Sequence, residues 1–526
     1  MNTSATSVPE GLSFSAPYWE KVGNFVALLA YSGIVLFTVR YHEKWADEAQ
    51  AWLLARDLDL KTLFFHELRY EGHPGLWHLI LWLAQRAFHA PYGAISYIGV
   101  AFAIAGAALL IFKAPFPWYV RWPLAFTYCL VYQYAVIARP YTLLPLLCFA
   151  VAIFFNGVQH PARMTLVLAL MANLIVHGAI LAACFGLLFL LQATKSWPGF
   201  DGRVRTQYFM CAALMVCVFL FLVVTLKPTS DIEEFVAKRE VAQLSQAAKQ
   251  QMNIVGPITK LETIVSGAFL DFFLPSALFV LAAAYWCLTR RRFLVFALPV
   301  GSMIAVYSII HGAAHHHGTA TVAAITALWI AWPTRQEQNR EAKREKWQLR
   351  GMIALLLIFC AVNIWDAAVV IKREYLYPYS GADDASRYLR AVGADRGPMF
   401  GFLFGVVAVQ AHFNHNIFAN MPTAYFHHGL PLAGTSLDVE ELERIQPEYI
   451  VAYSQDPQLM LEGGLPQLTT RGYELVHFSD GYYLYKRAVF EREVYFILRR
   501  ISSCAVFLLA MSKHHSQLVL VNELEA

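Results

Sequence analysis

EKWADEAQAW, residues 43–52, places Glu43, Asp47 and Glu48 directly after an apolar run, in a chain of 526 residues of which only 15% are charged. Carboxylates are costly in contact with lipid, so acids at this position need a reason. Adjacent acids often begin a helix, where they complement the helix dipole. The other explanation is that they face a polar cavity at the edge of the membrane.

The apolar runs around this stretch predict the class of protein. Hydrophobic residues make up 58% of the chain, and a bilayer core requires about 20 apolar residues per helix. We predict an all-α polytopic membrane protein with about 11 transmembrane helices. The first run follows no basic segment, so we expect an anchor rather than a cleaved signal peptide. The predicted spans are 22–40, 93–112, 120–138, 142–158, 164–176, 178–194, 206–226, 262–288, 293–311, 318–334 and 351–371.

One apolar stretch, residues 73–89, is short and is interrupted by histidine and arginine. We predict that it lies on the membrane as an interfacial helix. With this choice most of the short basic loops fall on one side, as the positive-inside rule requires of the cytoplasmic face. The outer face then receives 41–92, the loop around Arg139, the loop 227–260 and the histidine-rich turn at 311–317.

The chain changes character after the last span. Residues 1–371 are predicted to form the transmembrane domain, with 41–92 as its catalytic outer loop, and 372–490 a small soluble α/β domain on the outer side. DDASRYLRAVGA predicts an amphipathic helix, and PEYIVAY and YELVHFSDGYYLYKR predict strands. For the tail, 491–526, the sequence is compatible with an interfacial helix, a twelfth span or a disordered end.

The cysteines indicate neither disulfides nor a thiolate metal site. All 8 lie in apolar runs, and none lies in 372–490. Cysteines that form a disulfide framework would instead recur in a soluble, loop-rich segment. We therefore interpret them as small buried hydrophobic residues.

Four polar motifs converge on the predicted outer face. Each has a simpler explanation alone: an arginine at a span end often reaches to headgroups, and a histidine triplet needs a suitable ligand set before it binds metal. Their shared location favours a polar cavity. The motifs are the acidic pair Asp47 and Glu48, EGHPGLWH with Glu71 and His73, ARPY with Arg139 and Tyr141, and HGAAHHHG with His311 and His315.

With these motifs the sequence resembles the GT-C class of integral-membrane glycosyltransferases, most closely the bacterial protein O-mannosyltransferase and lipid A aminoarabinose transferase-like family. The resemblance covers roughly 20–335. It implies a protein of the cell inner membrane that transfers a sugar from a polyprenyl-phosphate carrier to an acceptor on the outer, periplasmic side. The acceptor would be a glycolipid, a polysaccharide or a protein. It also implies a catalytic acid at Asp47 or Glu48, with Glu71 as the second acid of the loop. Several relatives carry an aspartate after the arginine motif, whereas RPYTLLPLL has none.

The chemistry implied by this resemblance suits these residues. A carboxylate can act as base toward an acceptor hydroxyl, and the close acids Asp47, Glu48 and Glu71 are expected to raise one another's pKa if they share the pocket. Arg139 would bind the leaving phosphate, with His311 or His315 as further donors. A divalent cation, Mg²⁺ or Mn²⁺, on Asp47 and Glu48 is compatible with oxygen ligands but is not required. The expected partners are the donor, the acceptor and membrane lipids, with no nucleic acid.

The alternative function is a transporter or flippase for lipid-linked sugar. The charges cluster at one face, and the chain shows no matching pair of Gly/Pro-broken segments of the kind that inverted-repeat carriers show. These observations favour an enzyme. A polymerase or ligase would be expected to carry a large outer loop between late spans, where this chain has only the turn at 311–317. A scaffold would leave the acids unexplained.

Overall fold

The computed structural model of the chain describes residues 17–231, 233, 255–309, 314–426, 439–454, 464–485 and 489–501. It is a polytopic helical protein with one small mixed sheet near its C-terminal end. Among the described residues, five helices are long and apolar enough to cross a membrane, or six if one bent pair counts as a single span. The five are Tyr18–Val39, Ala94–Lys113, Val176–Gly199, Gly202–Leu226 and Lys343–Leu376.

Several predicted spans are shorter or bent, so the predicted count of 11 is not confirmed. The predicted span 262–288 is two helices, Thr259–Ala268 and Phe273–Thr289, with a bend of 70° between them. Four further apolar helices have between 10 and 17 residues. They are Pro140–Phe154, Pro161–Ala172, Phe293–Ser308 and Gly318–Ala331.

The predicted span 120–138 is wrong as a continuous helix. A helix covers only Trp118–Ala125 and contains Pro123, and a single π-turn follows at Cys129–Gln133. Proline lacks the N–H that continues a helix, and Pro140 disfavours helical backbone at the residue before it. Arg139 accordingly has extended backbone. Non-helical backbone at this depth needs protein partners for its polar groups.

Between the first two long helices lie two helices of 12 and 13 residues, besides two shorter ones. The helix Ala46–Asp57, here called the first-loop helix, carries the acidic pair. The helix Leu76–Phe88 has 13 residues. At 1.5 Å per residue it is about 20 Å long, against about 30 Å of hydrocarbon. This length suits the interfacial placement predicted for 73–89.

The C-terminal region forms a four-stranded sheet with the order β1-β2-β4-β3. β1 pairs parallel with β2, whereas β4 pairs antiparallel with both of its neighbours. β2 and β3 confirm the two predicted strands. β4 crosses the boundary drawn at 490, so the sheet continues into the predicted tail, of which 502–526 lies outside the described residues. The strands are β1 Met399–Phe402, β2 Tyr449–Ser454, β3 Tyr473–Tyr485 and β4 Val489–Arg500.

Short helices accompany this sheet, and Ala382–Ala391 confirms the predicted amphipathic helix. Further helices in the described part of this region are Val406–Gln410, Val439–Ile445 and Leu465–Thr469. Outside it, the other short helices are Leu60–Thr62, Leu68–Glu71 and Arg335–Arg340.

The first-loop helix packs between two hydrophobic cores. Trp52 and Ala55 belong to the core of the membrane helices. Ala49 and Leu53 belong to the core that the sheet region forms with the loop. A helix with apolar residues on several sides is buried on several sides, and burial of a leucine side chain contributes about 2 kcal/mol. The acids at the start of this helix are therefore held in a firmly packed element.

Candidate active site

The first turn of the first-loop helix places both predicted catalytic acids. Glu48 accepts the backbone N–H of Trp45 at 3.2 Å, which satisfies one of the free donors at the helix start. The simpler explanation for an acidic pair, a helix N-terminus, therefore holds for Glu48. Adjacent positions on a helix point about 100° apart, so Asp47 faces elsewhere.

Glu48 is fully buried and its carboxylate joins three parts of the chain. Oε1 accepts the backbone N–H of Ala138 at 2.7 Å, and Oε2 lies 3.0 Å from His42 Nε2. The other ring nitrogen of His42 lies 2.9 Å from Glu374, near the end of the helix Lys343–Leu376. Tyr132 donates a hydrogen bond to Glu374. One buried hydrogen-bond network thus joins the first loop, the broken segment (residues 126–139, between the helix Trp118–Ala125 and Pro140) and the helix Lys343–Leu376.

The charges in this network support one another. Burial alone would raise the pKa of Glu48, but the charge and hydrogen bond of His42 and the N–H of Ala138 outweigh it and hold that pKa below its ordinary value. Burial alone would lower the pKa of His42, but Glu48 and Glu374 raise it to about 10. The upward pKa shift expected for acids that share a pocket does not occur at Glu48, because this residue lies away from the cavity and its nearest charged neighbour is the cation His42.

Asp47 forms an ion pair with Arg139. Asp47 Oδ2 lies 2.9 Å from Arg139 Nη2, and their side chains are 21% and 13% exposed. Arg139 Nη1 lies 3.0 Å from His315 Nε2. Burial and the charge of Arg139 hold the pKa of His315 well below its ordinary value, so its ring is neutral and accepts from the guanidinium. The guanidinium also lies over the rings of Trp45 and Tyr141.

A cavity of about 300 Å³ opens beside this ion pair. It brings together four of the predicted residues, Asp47, Glu71, His73 and Arg139. Its volume is at the lower end of the range for small-molecule sites. Its remaining lining residues are Gln50, Ala51, His78 and Pro140.

The other predicted residues lie elsewhere. Glu48 does not line the cavity. Tyr141 and His315 border a separate, smaller pocket that also touches Arg139. Tyr141 is buried and stacks on Tyr134, with ring centroids 5.3 Å apart. His311 lies outside the described residues.

Sequence reasoning missed two cavity residues, Gln50 and His78. Gln50 Nε2 donates to Glu71 Oε1 at 2.8 Å and to the carbonyl of Phe426 at 2.6 Å, and Gln50 Oε1 accepts the N–H of Phe426 at 3.0 Å. Gln50 therefore orients Glu71 and binds the C-terminal region to the cavity. Its position, three residues after Asp47 on one helix, was a signal that the two share a face.

The pair Asp47 and Glu48 does not fit a divalent-cation site. Both oxygens of Glu48 are engaged by N–H groups, and Asp47 pairs with Arg139. Over the part of the chain that the structure describes, no three His, Cys, Asp or Glu side chains are grouped so as to hold a metal ion. The cavity wall instead carries a carboxylate next to a guanidinium. The carboxylate can act as a general base, and the guanidinium can stabilise an anion beside it.

Comparison with solved structures supports the architecture. No protein-family profile and no curated protein sequence matches the chain. Two crystal structures of ArnT from Cupriavidus metallidurans resemble it. The apo structure is 13% identical, with 91% of this chain and 98% of that chain covered and a TM-score of 0.48. The structure bound to undecaprenyl phosphate is 11% identical, with 93% and 99% covered and a TM-score of 0.53. On the second of these matches, the chain has over nearly its whole length the fold of ArnT, the polytopic GT-C fold expected from the sequence.

Proposed function

We propose that this chain is a membrane glycosyltransferase that moves a glycosyl group from a polyprenyl-phosphate carrier to an acceptor hydroxyl at the outer side of the cell inner membrane. The observation that carries the proposal is the Asp47–Arg139 pair at the wall of a cavity of about 300 Å³. The fold supports it, because an ArnT of the same fold has been crystallised with undecaprenyl phosphate.

The reaction displaces a phosphate from the anomeric carbon. The acceptor oxygen forms a bond to that carbon while the bond from carbon to the phosphate oxygen breaks, and the electron pair leaves with the phosphate. The Asp47 carboxylate takes the proton of the acceptor hydroxyl. The guanidinium of Arg139 donates to the phosphate oxygens and stabilises the charge that develops there.

In the protein without substrate, the ion pair holds the Asp47 carboxylate and the Arg139 guanidinium side by side at the cavity. A phosphate competes with Asp47 for the guanidinium, so binding of the carrier frees the Asp47 carboxylate to act as base. His315 accepts from the other terminal nitrogen of Arg139 and holds the plane of the guanidinium. Glu71 and His73 face the same cavity and are suited to hydrogen-bond sugar or acceptor hydroxyls.

Of the two predicted acids, we assign the base to Asp47 and a positioning role to Glu48. Glu48 is fully buried, and its oxygens accept from Ala138, Trp45 and His42. A carboxylate held in this way has no path to a substrate proton. The placement of 372–490 on the outer side of the membrane stays a prediction.

The test uses purified protein, a radiolabelled polyprenyl-phosphate sugar and a membrane acceptor extract. Asp47→Asn should lower transfer about 10²–10⁴-fold. Asp57→Asn, at the other end of the same helix and paired with Arg56, should transfer like the wild type. Full transfer by Asp47→Asn would refute the assignment of the base. A wild type that moves labelled carrier across vesicles without transferring the sugar would instead establish the transporter.

A further inference from the structure

His78 is a cavity residue with no assigned partner. It lies on the helix Leu76–Phe88, is 1% exposed and lines the cavity that Asp47 and Arg139 border. Among the described residues, neither of its ring nitrogens has a hydrogen-bond partner. Buried polar groups in folded proteins are nearly always hydrogen-bonded, so a ring left without a protein partner against a cavity points to a ligand group.

The protonation state of His78 indicates which kind of ligand group it can bind. Burial lowers the pKa of His78 to about 4, so the ring is neutral near pH 7. A neutral imidazole presents one N–H donor and one lone-pair acceptor. A hydroxyl is likewise both donor and acceptor, whereas a phosphate diester oxygen only accepts. The cation suited to phosphate is Arg139, on another part of the wall.

Gln50, the nearby amide of the same wall, is already engaged. It is held by Glu71 and by both backbone groups of Phe426. His78 therefore offers the cavity a hydrogen-bonding group that Gln50 does not duplicate. With the phosphate at Arg139, the sugar attached to it extends into the same cavity.

We infer that His78 binds a hydroxyl of the glycosyl group on the polyprenyl-phosphate donor and so helps to determine which sugar is accepted. The inference rests on the proposed function. It makes His78 a specificity-determining residue and leaves the proton transfer to Asp47.

The experiment measures binding without acceptor. The probes are undecaprenyl phosphate and its glucose, mannose and galactose conjugates, each titrated into wild type, His78→Phe, His78→Gln and Trp77→Phe. We expect the wild type to bind one conjugate at least about tenfold more tightly than bare undecaprenyl phosphate. His78→Phe should lose that preference and still bind the bare carrier, which shows that it is folded. His78→Gln, whose amide also donates and accepts, should keep it within about threefold.

Trp77→Phe is the matched control, since Trp77 is buried beside His78 but does not line the cavity. It should leave both affinities unchanged. An unchanged preference in His78→Phe, or equal losses for conjugate and bare carrier, would overturn the inference while the proposed function stood. A transfer assay on His78→Phe completes the test: a rise in only the KM for acceptor would also overturn the inference, because the hydroxyl would then belong to the acceptor. A wild type that bound neither bare undecaprenyl phosphate nor any of its sugar conjugates would overturn the proposed function itself.

Discussion

Glu48 accepts the backbone N–H of Ala138 at 2.7 Å, and these two residues stand next in the chain to the ion pair of Asp47 and Arg139. One buried hydrogen bond thus sets the first-loop helix against the broken segment that carries Arg139. This hydrogen bond fixes the backbone beside both members of the ion pair, whose oxygen and nitrogen lie 2.9 Å apart. Glu48 is in turn held by His42, and His42 by Glu374.

Replacement of Glu48 by glutamine should destabilise the protein. The amide keeps one acceptor oxygen, but it removes the negative charge opposite His42 and leaves one of three N–H donors without a partner. We expect a loss of about 1–3 kcal/mol, seen as a lower apparent Tm in detergent, and slower sugar transfer. Glu345→Gln is the matched control, since Glu345 caps an exposed helix start by accepting from Ala342 N–H. Equal Tm shifts in the two variants would contradict the role assigned to Glu48.

The stability contributed by His42 should depend on pH. Its folded-state pKa is raised from the ordinary 6.5 to about 10, so its contribution is fully present below about pH 6.5 and is lost as pH rises through about 10. Glu48 behaves oppositely: its pKa is lowered, so its contribution is present above its ordinary value of 4.5 and is lost as pH falls through the folded-state pKa. Glu48, Glu374 and the ring of Tyr379 contact His42 directly.

The measurement is the difference in apparent Tm between wild type and His42→Gln from pH 4 to pH 10. The difference should be largest between about pH 4.5 and 6.5 and should shrink toward pH 10. The aromatic neighbours keep their places in the variant, so packing changes alone would give a difference that does not vary with pH. A flat profile would therefore refute a protonated His42 in the folded protein.

Gln50→Ala should loosen the attachment of the C-terminal region to the cavity. The variant removes both hydrogen bonds between the Gln50 side chain and the backbone of Phe426. A local loss of about 2 kcal/mol corresponds to roughly 30-fold faster hydrogen exchange at the Phe426 amide. Gln85→Ala serves as control, because the Gln85 amide donates to Trp52 rather than to the C-terminal region. Wild-type exchange at Phe426 in the Gln50 variant would rule out this attachment.

The sequence alone determined the features that depend on nearby residues. Apolar runs predict the helices Tyr18–Val39 and Ala94–Lys113, and alternation predicts the strands β2 and β3. Charge and motif type also indicated Asp47 and Arg139 as candidate site residues, because four polar motifs fall on the same predicted face of the membrane. These features can be predicted because periodicity and desolvation act over a few residues.

The tertiary structure decided which of two adjacent acids faces the cavity. Asp47 and Glu48 are adjacent carboxylates that the sequence does not distinguish. In the structure Glu48 points toward His42 and Ala138, whereas Asp47 points toward Arg139. The partners that set these roles are distant in the chain: His42 meets Glu374, 332 residues away, and Gln50 meets Phe426, 376 residues away. Local pattern carries no information on such contacts, because they arise from how buried helix faces pack against elements far along the chain. The same packing supplies the buried Glu48 carboxylate that accepts the N–H of Ala138, in the segment for which a continuous helix was predicted.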